Sequence, residues 1–289
     1  QYTIEHEPIS STDLMERAAT AVFKRIIKLF HSEEKIYVFC GTGNNGGDGL
    51  ALTRLLSESG RSCIAFLIRQ SPSLSADATI QLTRLREKFP DRIKEIIHAA
   101  ELEKTGMPAG AVVIDALLGT GLNKAPEGLY KETIQYLNKK SDRIVSIDLP
   151  SGLFADKHSV DNNDIICSSL TLTFQLPKLA LLLPQNAKYV PEFEILNIGL
   201  NEHAIELRKS PYFYVAPAAV APLLKKRNKF SHKGTYGHAL LIAGSKGKSG
   251  AAILSAMACL RSGAFFMIRR PPKSTLDALL LHLPEAMSS

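Results

Sequence analysis

The stretch Lys35–Leu56, KIYVFCGTGNNGGDGLALTRLL, is the part of the chain from which the fold can be predicted. Its apolar run Ile36–Cys40 is typical of a buried strand, and the glycine-rich segment Gly41–Gly49 separates this run from an amphipathic helix. Glycines let the backbone take positive φ and come close to a ligand. The free N–H groups at the start of a helix favour an anion such as phosphate. The stretch therefore predicts a strand–loop–helix unit that binds a phosphate-containing ligand.

The segments around this unit alternate between strand-like and helix-like patterns. Strands are predicted at Ile36–Cys40, Ser62–Ile68, Ala111–Ile114, Ile144–Ile147, Leu170–Phe174 and Phe193–Leu196. Helices are predicted at Ser11–Phe30, with Ser11 or Thr12 as N-cap, and at Gly49–Ser59, Ser75–Lys88 and Tyr130–Lys139. Continuous apolar strands that alternate with helices indicate an α/β fold, a doubly wound Rossmann-like parallel sheet with helices on both faces.

Composition and charge limit the classes of partner. The 289 residues are 45% hydrophobic and 22% charged, which is ordinary for a globular protein of one or two domains. Part of the net charge of +7 lies in the basic run 225–233, KKRNKFSHK, which is more typical of a solvated linker than of a nucleic-acid site. Because RRM, KH and zinc-finger spacings are also absent from the sequence, we expect no nucleic-acid partner.

Cysteine usage and hydropathy bear on the cellular location. The four cysteines form no CxxC pair, so neither a zinc site nor a disulfide framework is indicated. No signal peptide and no apolar run of 18 residues occur in the sequence, and we expect no membrane partner and a cytoplasmic location. The chain starts at Gln1 without a methionine, and we expect that an N-terminal segment is missing.

Three predicted strands end in polar residues. Asn44, Asn45 and Asp48 follow the first strand, and Asp115 follows another. A third strand leads into the pair Asp148 and Ser151. The carboxyl ends of parallel strands share one edge of a sheet, where ligands bind. Each aspartate alone has an alternative reading as a helix cap or turn former, but three such loops together predict a common site.

The residue types at this predicted site bear on its chemistry. Asn, Asp and Ser supply hard oxygen ligands that suit potassium or magnesium rather than zinc. A carboxylate with Lys124 or Lys178 nearby could perform acid–base chemistry, although a lysine at either place is more often simply solvated.

Two glycine motifs allow other interpretations. GTGNNG, residues 41–46, fits the GxGxxG pattern of dinucleotide-dependent dehydrogenases, but Arg69 stands near the position where that pattern expects an acidic residue. An arginine there could meet a 2′-phosphate, which leaves an NADP-dependent dehydrogenase as an alternative. GSKGKS, residues 244–249, lacks the first glycine of a Walker A loop and is interpreted as a different phosphate-compatible loop.

Several motifs, in order and spacing, resemble one family. GTGNNGGDG after a strand, VIDALLGTGL at 113–122, SIDLPSGL at 146–153, TFQLPKLALLLPQNAKYV at 173–190 and FEILNIGL at 193–200 resemble the NAD(P)H-hydrate epimerase family, or YjeF N-terminal domain. This resemblance covers roughly Tyr2 to Leu200. Residues 230–264 resemble the opening of the NAD(P)H-hydrate dehydratase domain, which has a ribokinase-like fold.

The resemblance implies a domain organisation of 1–200 as epimerase domain, 201–230 as linker and 231–289 as a truncated start of the dehydratase domain. The later nucleotide loop of that domain, with its catalytic aspartate, has no counterpart here, so dehydratase activity is not expected. Residues 265–276, FFMIRRPPKSTL, break the family pattern and resemble a translated sequencing adapter, which suggests an assembly artefact.

The resemblance also implies a substrate, a cation and their ligands. The substrate is NADH or NADPH hydrated on the nicotinamide ring (NADHX or NADPHX), whose R and S forms the family interconverts. The implied substrate-binding residues are Asn44, Asn45, Gly46, Gly47, Asp48, Gly119, Thr120, Gly121, Leu122, Asn123, Lys124, Ala125 and Asp148. The implied potassium ligands are Asn45, Asp115 and Ser151, and Asp148 is implied in proton transfer. ADP or ATP would serve only the incomplete dehydratase domain.

Other readings of the chain stay open at this stage. A non-catalytic nucleotide-sensing or partner-binding module on the same fold is the main alternative, because some members of the family have scaffolding roles. The sequence also leaves open a homo-oligomer and the preference between the hydrates of NADH and NADPH.

Overall fold

The structure, a computed structural model, describes residues 2–156, 164–224, 226–268, 272–285 and 287–288. The chain divides into two compact units, Gln1–Phe213 and Tyr214–Ser289, with the division inside the predicted linker. Of the segment 265–276, residues 269–271 lie outside the described residues.

The first unit contains the predicted sheet. Its strands are β1 (Ile36–Cys40), β2 (Cys63–Ile68), β3 (Ile93–Ile96), β4 (Val112–Ala116), β5 (Ile144–Ile147), β6 (Leu170–Phe174) and β7 (Phe193–Leu196). Its helices are α1 (Tyr2–His6), α2 (Ser11–Leu29), α3 (Asn44–Glu58), α4 (Ala76–Lys88), α5 (Gly128–Lys140), α6 (Leu179–Leu182) and α7 (Glu202–Glu206). Among the described residues the seven strands form one parallel sheet in the order β3-β2-β1-β4-β5-β6-β7. The predicted doubly wound α/β fold is therefore confirmed.

Both faces of this sheet are covered, and successive side chains of β1 pack alternately into two separate cores. Ile36, Val38 and Cys40 pack into one core with side chains of α2, α3 and α4. Tyr37 and Phe39 point to the opposite face and pack into a second core that includes α5. Successive side chains of a strand alternate between faces, so a strand covered on both sides reads as a continuous apolar run. This is why IYVFC predicted a central strand.

Several predicted details were wrong. The helix predicted at Gly49 begins at Asn44, so the two asparagines and Asp48 belong to the first turns of α3. The N-cap of α2 is Ser10, whose hydroxyl accepts a hydrogen bond from the Asp13 N–H at 3.0 Å. Strand β3 was missed because its sequence, IKEI, is short and half charged, as an edge strand with one exposed side can be.

The glycines of Gly41–Gly49 act through their size and not through positive φ, which none of the five adopts. A Cβ atom on Gly41 would lie 1.9 Å from the carbonyl oxygen of Leu117, and one on Gly49 would lie 2.6 Å from the Ala116 Cβ. The positive φ that glycine permits is therefore not used in this segment, and the close approach is to other atoms of the protein. The contact brings the end of β1 directly against the segment that follows β4.

The second unit has a small sheet of its own. Its elements are α8 (Pro217–Val220), β8 (His238–Leu241), α9 (Gly250–Ser262), β9 (Phe265–Ile268), α10 (Lys273–His282) and β10 (Met287–Ser288). The strands are parallel in the order β10-β9-β8, and the GSKGKS segment connects β8 to α9. The ribokinase-like character of this unit stays a prediction.

We expect Gly41→Ala to lower the free energy of unfolding by about 3 kcal/mol, because the added Cβ would meet the backbone carbonyl of Leu117 and not a flexible side chain. Urea denaturation of the full chain would measure the change. Gly121→Ala is the matched control, since a Cβ there has no heavy atom within 4 Å, and its effect should stay within about 0.5 kcal/mol. Equal effects of the two substitutions would contradict this packing argument.

Candidate functional site

A cavity of about 660 Å³ lies at the carboxyl edge of the sheet. The strand order reverses between β1 and β4, and a crevice opens at such a point because the chain leaves neighbouring strands in opposite directions. The lining comes from the ends of β1, β2, β4, β5 and β6 and from the starts of α3 and α5. It comprises Thr42–Asn45, Asp48, Gln70, Leu117–Glu127, Tyr130, Asp148 and Phe174.

The structure brings most of the sequence-predicted site residues together here. Those that line the cavity are Asn44, Asn45, Asp48, Asp148 and the whole segment Gly119–Ala125. Gly46 and Gly47 do not line it: a Cβ on Gly46 would meet the Gly41 backbone, and one on Gly47 would meet the side chain of Met15. Asp115 and Ser151 are completely buried and contact the lining from behind.

Asp115 is the centre of a buried hydrogen-bond network. Its Oδ1 accepts from the Ser151 hydroxyl at 2.5 Å and from the Leu117 N–H at 3.2 Å. Its Oδ2 accepts from the Ser146 hydroxyl and from the Ser151 N–H, both at 2.8 Å. Burial raises the pKa of Asp115, and these hydrogen bonds oppose that effect. The four donors join the ends of β4 and β5. Asp115 itself lies inside β4 and not beyond it as predicted.

The backbone of Leu118 links this network to α3. Its N–H donates to the Ser151 hydroxyl at 2.8 Å, and its carbonyl oxygen accepts from Asn45 Nδ2 at 3.1 Å. The other amide atom of Asn45, Oδ1, is buried and has no hydrogen-bond partner among the described residues. A buried acceptor without a donor is costly unless another group occupies the place beside it. Asn45, Asp115 and Ser151 are thus neighbours, and Asn45 Oδ1 is the oxygen among them that accepts no hydrogen bond from the described residues.

Asp148 follows β5 in a backbone conformation that is rare for its residue type. Its φ is 67°, in the left-handed region, where a non-glycine residue is strained unless its surroundings hold it. The Asp148 N–H donates to the Leu172 carbonyl at 2.8 Å, and the carboxylate forms an ion pair with Lys178. The Asp148 side chain is 14% exposed. The strained backbone therefore directs a mostly buried, paired carboxylate to the wall of the cavity.

Asp48 supplies a second carboxyl group to the cavity. Burial raises its pKa well above the ordinary value, and the negative charges of Asp148 and Asp77 add to the shift. Strained backbone and perturbed titratable groups cluster at functional sites more than elsewhere. Two carboxyl groups in different environments that line one cavity can divide the roles of proton donor and proton acceptor.

Sequence reasoning missed Thr42, Gln70 and Tyr130, which also line the cavity. The Tyr130 hydroxyl accepts from the Thr42 N–H at 3.0 Å, and Gln70 Oε1 accepts from the Tyr130 N–H at 2.8 Å. The residues of these two pairs are 88 and 60 positions apart in sequence, so no local sequence pattern predicts their contact.

Arg69, the residue that could have met a 2′-phosphate, does not line the cavity. Its Nε donates to Glu95 at 2.8 Å and its Nη1 donates to the Pro72 carbonyl at 3.0 Å. Because the Arg69 guanidinium is already paired with a carboxylate outside the cavity, it gives little support to binding of a 2′-phosphate and hence to the dehydrogenase alternative.

Two features of the described part of the chain bear on membranes and metal ions. None of the helices there is long and apolar enough to cross a membrane. No cluster of three or more His, Cys, Asp or Glu side chains suited to a metal ion occurs among the same residues. A cation beside Asn45 Oδ1 would therefore be held by neutral amide, hydroxyl and carbonyl oxygens, and Asp115, whose oxygens already accept four hydrogen bonds, would supply the negative charge behind them.

Comparison with known proteins places the chain in a family. Relatives include the bifunctional NAD(P)H-hydrate repair enzymes Nnr of Moorella thermoacetica, 31% identical over 97% of this chain, and of Coxiella burnetii, 33% identical over 89%. These matches span 53% and 51% of the two relatives, so the chain spans about half the length of the curated relatives it matches.

A solved structure shares the fold of the first unit. The crystal structure of the yeast protein ynu0 (YNL200c) matches with a TM-score of 0.55 at 20% identity, over 72% of this chain and 88% of that one. The family model described as YjeF-related protein N-terminus matches residues 11–180, which contain all the side chains of the cavity. The chain therefore belongs to the family of YjeF-related protein N-termini.

Proposed function

We propose that this chain interconverts the R and S forms of hydrated NADH and NADPH. The observation that carries the proposal is the convergence of three strand-end segments on one cavity that presents Asp48 and Asp148 beside the N-terminus of α3. The free N–H groups of that terminus suit the pyrophosphate of a dinucleotide. The names of the relatives, NAD(P)H-hydrate repair enzymes, support the same substrate class.

The chemistry of the substrate explains why a site of this kind would be needed. Hydration of the enamine of a dihydronicotinamide puts a hydroxyl on the ring carbon beside the ring nitrogen. To invert that carbon, the hydroxyl gains a proton and leaves as water while the nitrogen lone pair forms a C=N bond. Water then adds to the opposite face and loses a proton, and the electron pair returns to nitrogen. Protons move and no hydride is transferred, so a proton donor and a proton acceptor suffice.

Asp148 and Asp48 fit these two roles. Asp148 is paired with the ammonium group of Lys178, and its carboxylate lines the cavity as the group proposed to accept a proton. The raised pKa of Asp48 favours the protonated, donating form. Reversal of the reaction exchanges the two roles, and protons from solvent restore the starting state after each turnover.

Potassium is part of the proposal as a bound cation. Its support is the buried Oδ1 of Asn45, which lacks a partner among the described residues, in a cluster of oxygen donors with Asp115 and Ser151. Oxygen-only donors with one carboxylate suit a cation that prefers hard ligands. When bound, potassium would supply positive charge that offsets Asp115 and steadies the Gly119–Ala125 segment. ADP and ATP have no proposed role in the first unit.

For the second unit we propose no dehydratase turnover. Its described residues form a three-stranded sheet, and the glycine loop 244–249 is the part that resembles a nucleotide site. We also propose a soluble, cytoplasmic enzyme without nucleic-acid partners.

Asp148→Asn should slow epimerisation at least 100-fold, because the amide cannot accept the proton and general acid–base groups contribute about that much or more. The measurement is chromatographic conversion of a separated R hydrate, corrected for the spontaneous rate. Circular dichroism should report an unchanged fold. A corrected rate within a few-fold of the wild-type rate would remove Asp148 from the reaction.

Hydrated NADH should bind more tightly in potassium chloride than in tetramethylammonium chloride at equal ionic strength, because the bulky organic cation cannot enter beside Asn45 Oδ1. Isothermal titration calorimetry with the purified hydrate would measure both affinities. Asn45→Ala should abolish the difference between the salts. Equal affinities for the wild type in the two salts would count against the cation.

Asp48→Asn should raise the unfolding midpoint near pH 7 and have little effect near pH 4. The raised pKa means that folded Asp48 binds a proton more tightly than unfolded Asp48, so wild-type stability falls as pH rises from the unfolded pKa toward the folded one. Asparagine has no proton to lose and avoids this decline. Thermal melts across that pH range would measure the difference between the proteins.

Asp77→Ala is the contrasting control for this experiment. Asp77 accepts hydrogen bonds from Ser11 and Thr12, both at 2.6 Å, so its removal should destabilise the fold. We argue that the buried Asp48 carboxyl lowers the stability of the fold at pH 7. An unfolding midpoint at pH 7 that fell in Asp48→Asn, as it should in Asp77→Ala, would refute this argument.

A further inference from the structure

The two oxygens of the Asp148 carboxylate have different surroundings. Oδ1 accepts a charged hydrogen bond from Lys178 Nζ and a long one, 3.4 Å, from the Thr173 hydroxyl. Oδ2 accepts no hydrogen bond from the residues that the structure describes. One oxygen is therefore held by the protein, and the other is left for a ligand on the cavity wall that Asp148 lines.

Lys178 has no donor to spare for a ligand. Besides Asp148 Oδ1, its ammonium group donates to the Thr173 hydroxyl at 2.8 Å and to the Phe174 carbonyl at 3.2 Å. An ammonium group carries three N–H bonds, and these three acceptors use all of them. The Lys178 side chain is only 18% exposed, and Lys178 is not among the residues that line the cavity. Its position suits it to act on Asp148 and not on a substrate.

The anchors of Lys178 lie at the end of β6, a strand inside the sheet. Thr173 and Phe174 are the last two residues of β6, and the Thr173 side chain is completely buried. The Asp148 backbone is tied to the same strand through its N–H bond to Leu172. The lysine thus connects a strained residue after β5 to the end of β6. Rotation of a carboxylate about its terminal bond is otherwise broad, so a fixed orientation needs such a contact.

We propose that Lys178 is a positioning residue that binds Asp148 Oδ1 and thereby presents Oδ2 as the atom that exchanges a proton with the substrate. This inference rests on the proposed epimerisation. In the forward step Oδ2 accepts the proton released by the water that adds to the ring carbon, and in the reverse step it returns that proton to the departing hydroxyl. Lys178 keeps its own three protons throughout.

The test uses Lys178→Met in the full chain, which removes the ammonium group and keeps an unbranched apolar side chain one atom shorter. Without the hydrogen bond from Lys178 the Asp148 carboxylate can rotate between orientations. A misplacement of a reacting group by about 1 Å can lower a rate about 100-fold. We expect kcat for the R hydrate to fall about 100-fold and KM to change less than about threefold. A loss of overall folding would instead lower the active fraction and the unfolding midpoint together.

Chemical rescue separates positioning from a structural role. Lys178→Ala should regain part of its kcat with propylammonium in a saturable manner and should gain nothing from tetramethylammonium, which has no N–H donor. Thr173→Val, which removes one anchor of Lys178 and keeps the side-chain shape, should lower kcat about tenfold without a large change in KM. Lys124→Met is the matched lysine control, because Lys124 lines the cavity and should affect KM more than kcat.

The outcomes distinguish this inference from the function on which it rests. An active wild type, an inactive Asp148→Asn and a fully active Lys178→Met would overturn the role of Lys178 alone. A change confined to KM in Lys178→Met would also overturn it. A wild type without epimerisation above the spontaneous rate would overturn the proposed function and this inference with it.

Discussion

The carboxylate of Asp115 joins segments that lie far apart in the chain. Four hydrogen bonds, from Leu117, Ser146 and both the N–H and the hydroxyl of Ser151, converge on its two oxygens. A buried carboxylate is stable only when its oxygens are satisfied, so each donor holds its backbone in place. The loops after β4 and β5 are consequently built around one anion. The wall of the cavity formed by Leu118 and its neighbours depends on that arrangement.

A second constraint works by exclusion of volume. Gly41 lies so close to the Leu117 carbonyl that no side chain fits between them. This contact sets the distance between the end of β1 and the Asp115 network, and α3 starts three residues later. Asn45, in the first turn of α3, then reaches the Leu118 carbonyl. The close backbone contact at Gly41 and the hydrogen-bonded carboxylate of Asp115 together define the cavity between β1 and β4.

Local patterns carried much of the prediction. Six of the seven strands in the first unit were predicted, and the central ones read as apolar runs because a strand buried on both faces needs a continuous apolar sequence. The same logic missed β3, where edge exposure permits IKEI. It also misplaced the start of α3, since glycine and asparagine are typical of loops, whereas the close backbone packing in this fold accepts them inside a helix.

The sequence by itself determined the alternation of strands and helices, the parallel α/β class and the placing of Asn45, Asp48, Asp115 and Asp148 near one edge of the sheet. These follow from hydrophobic periodicity and from the sharing of one edge by the carboxyl ends of parallel strands. Only the tertiary structure decided what each polar group contacts. Asp115 accepts four hydrogen bonds, Asn45 Oδ1 has no partner among the residues that the structure describes, and Asp148 is held through one oxygen by Lys178, 30 residues away. Such contacts depend on where separate strands end relative to one another, and no local pattern of residues encodes that distance.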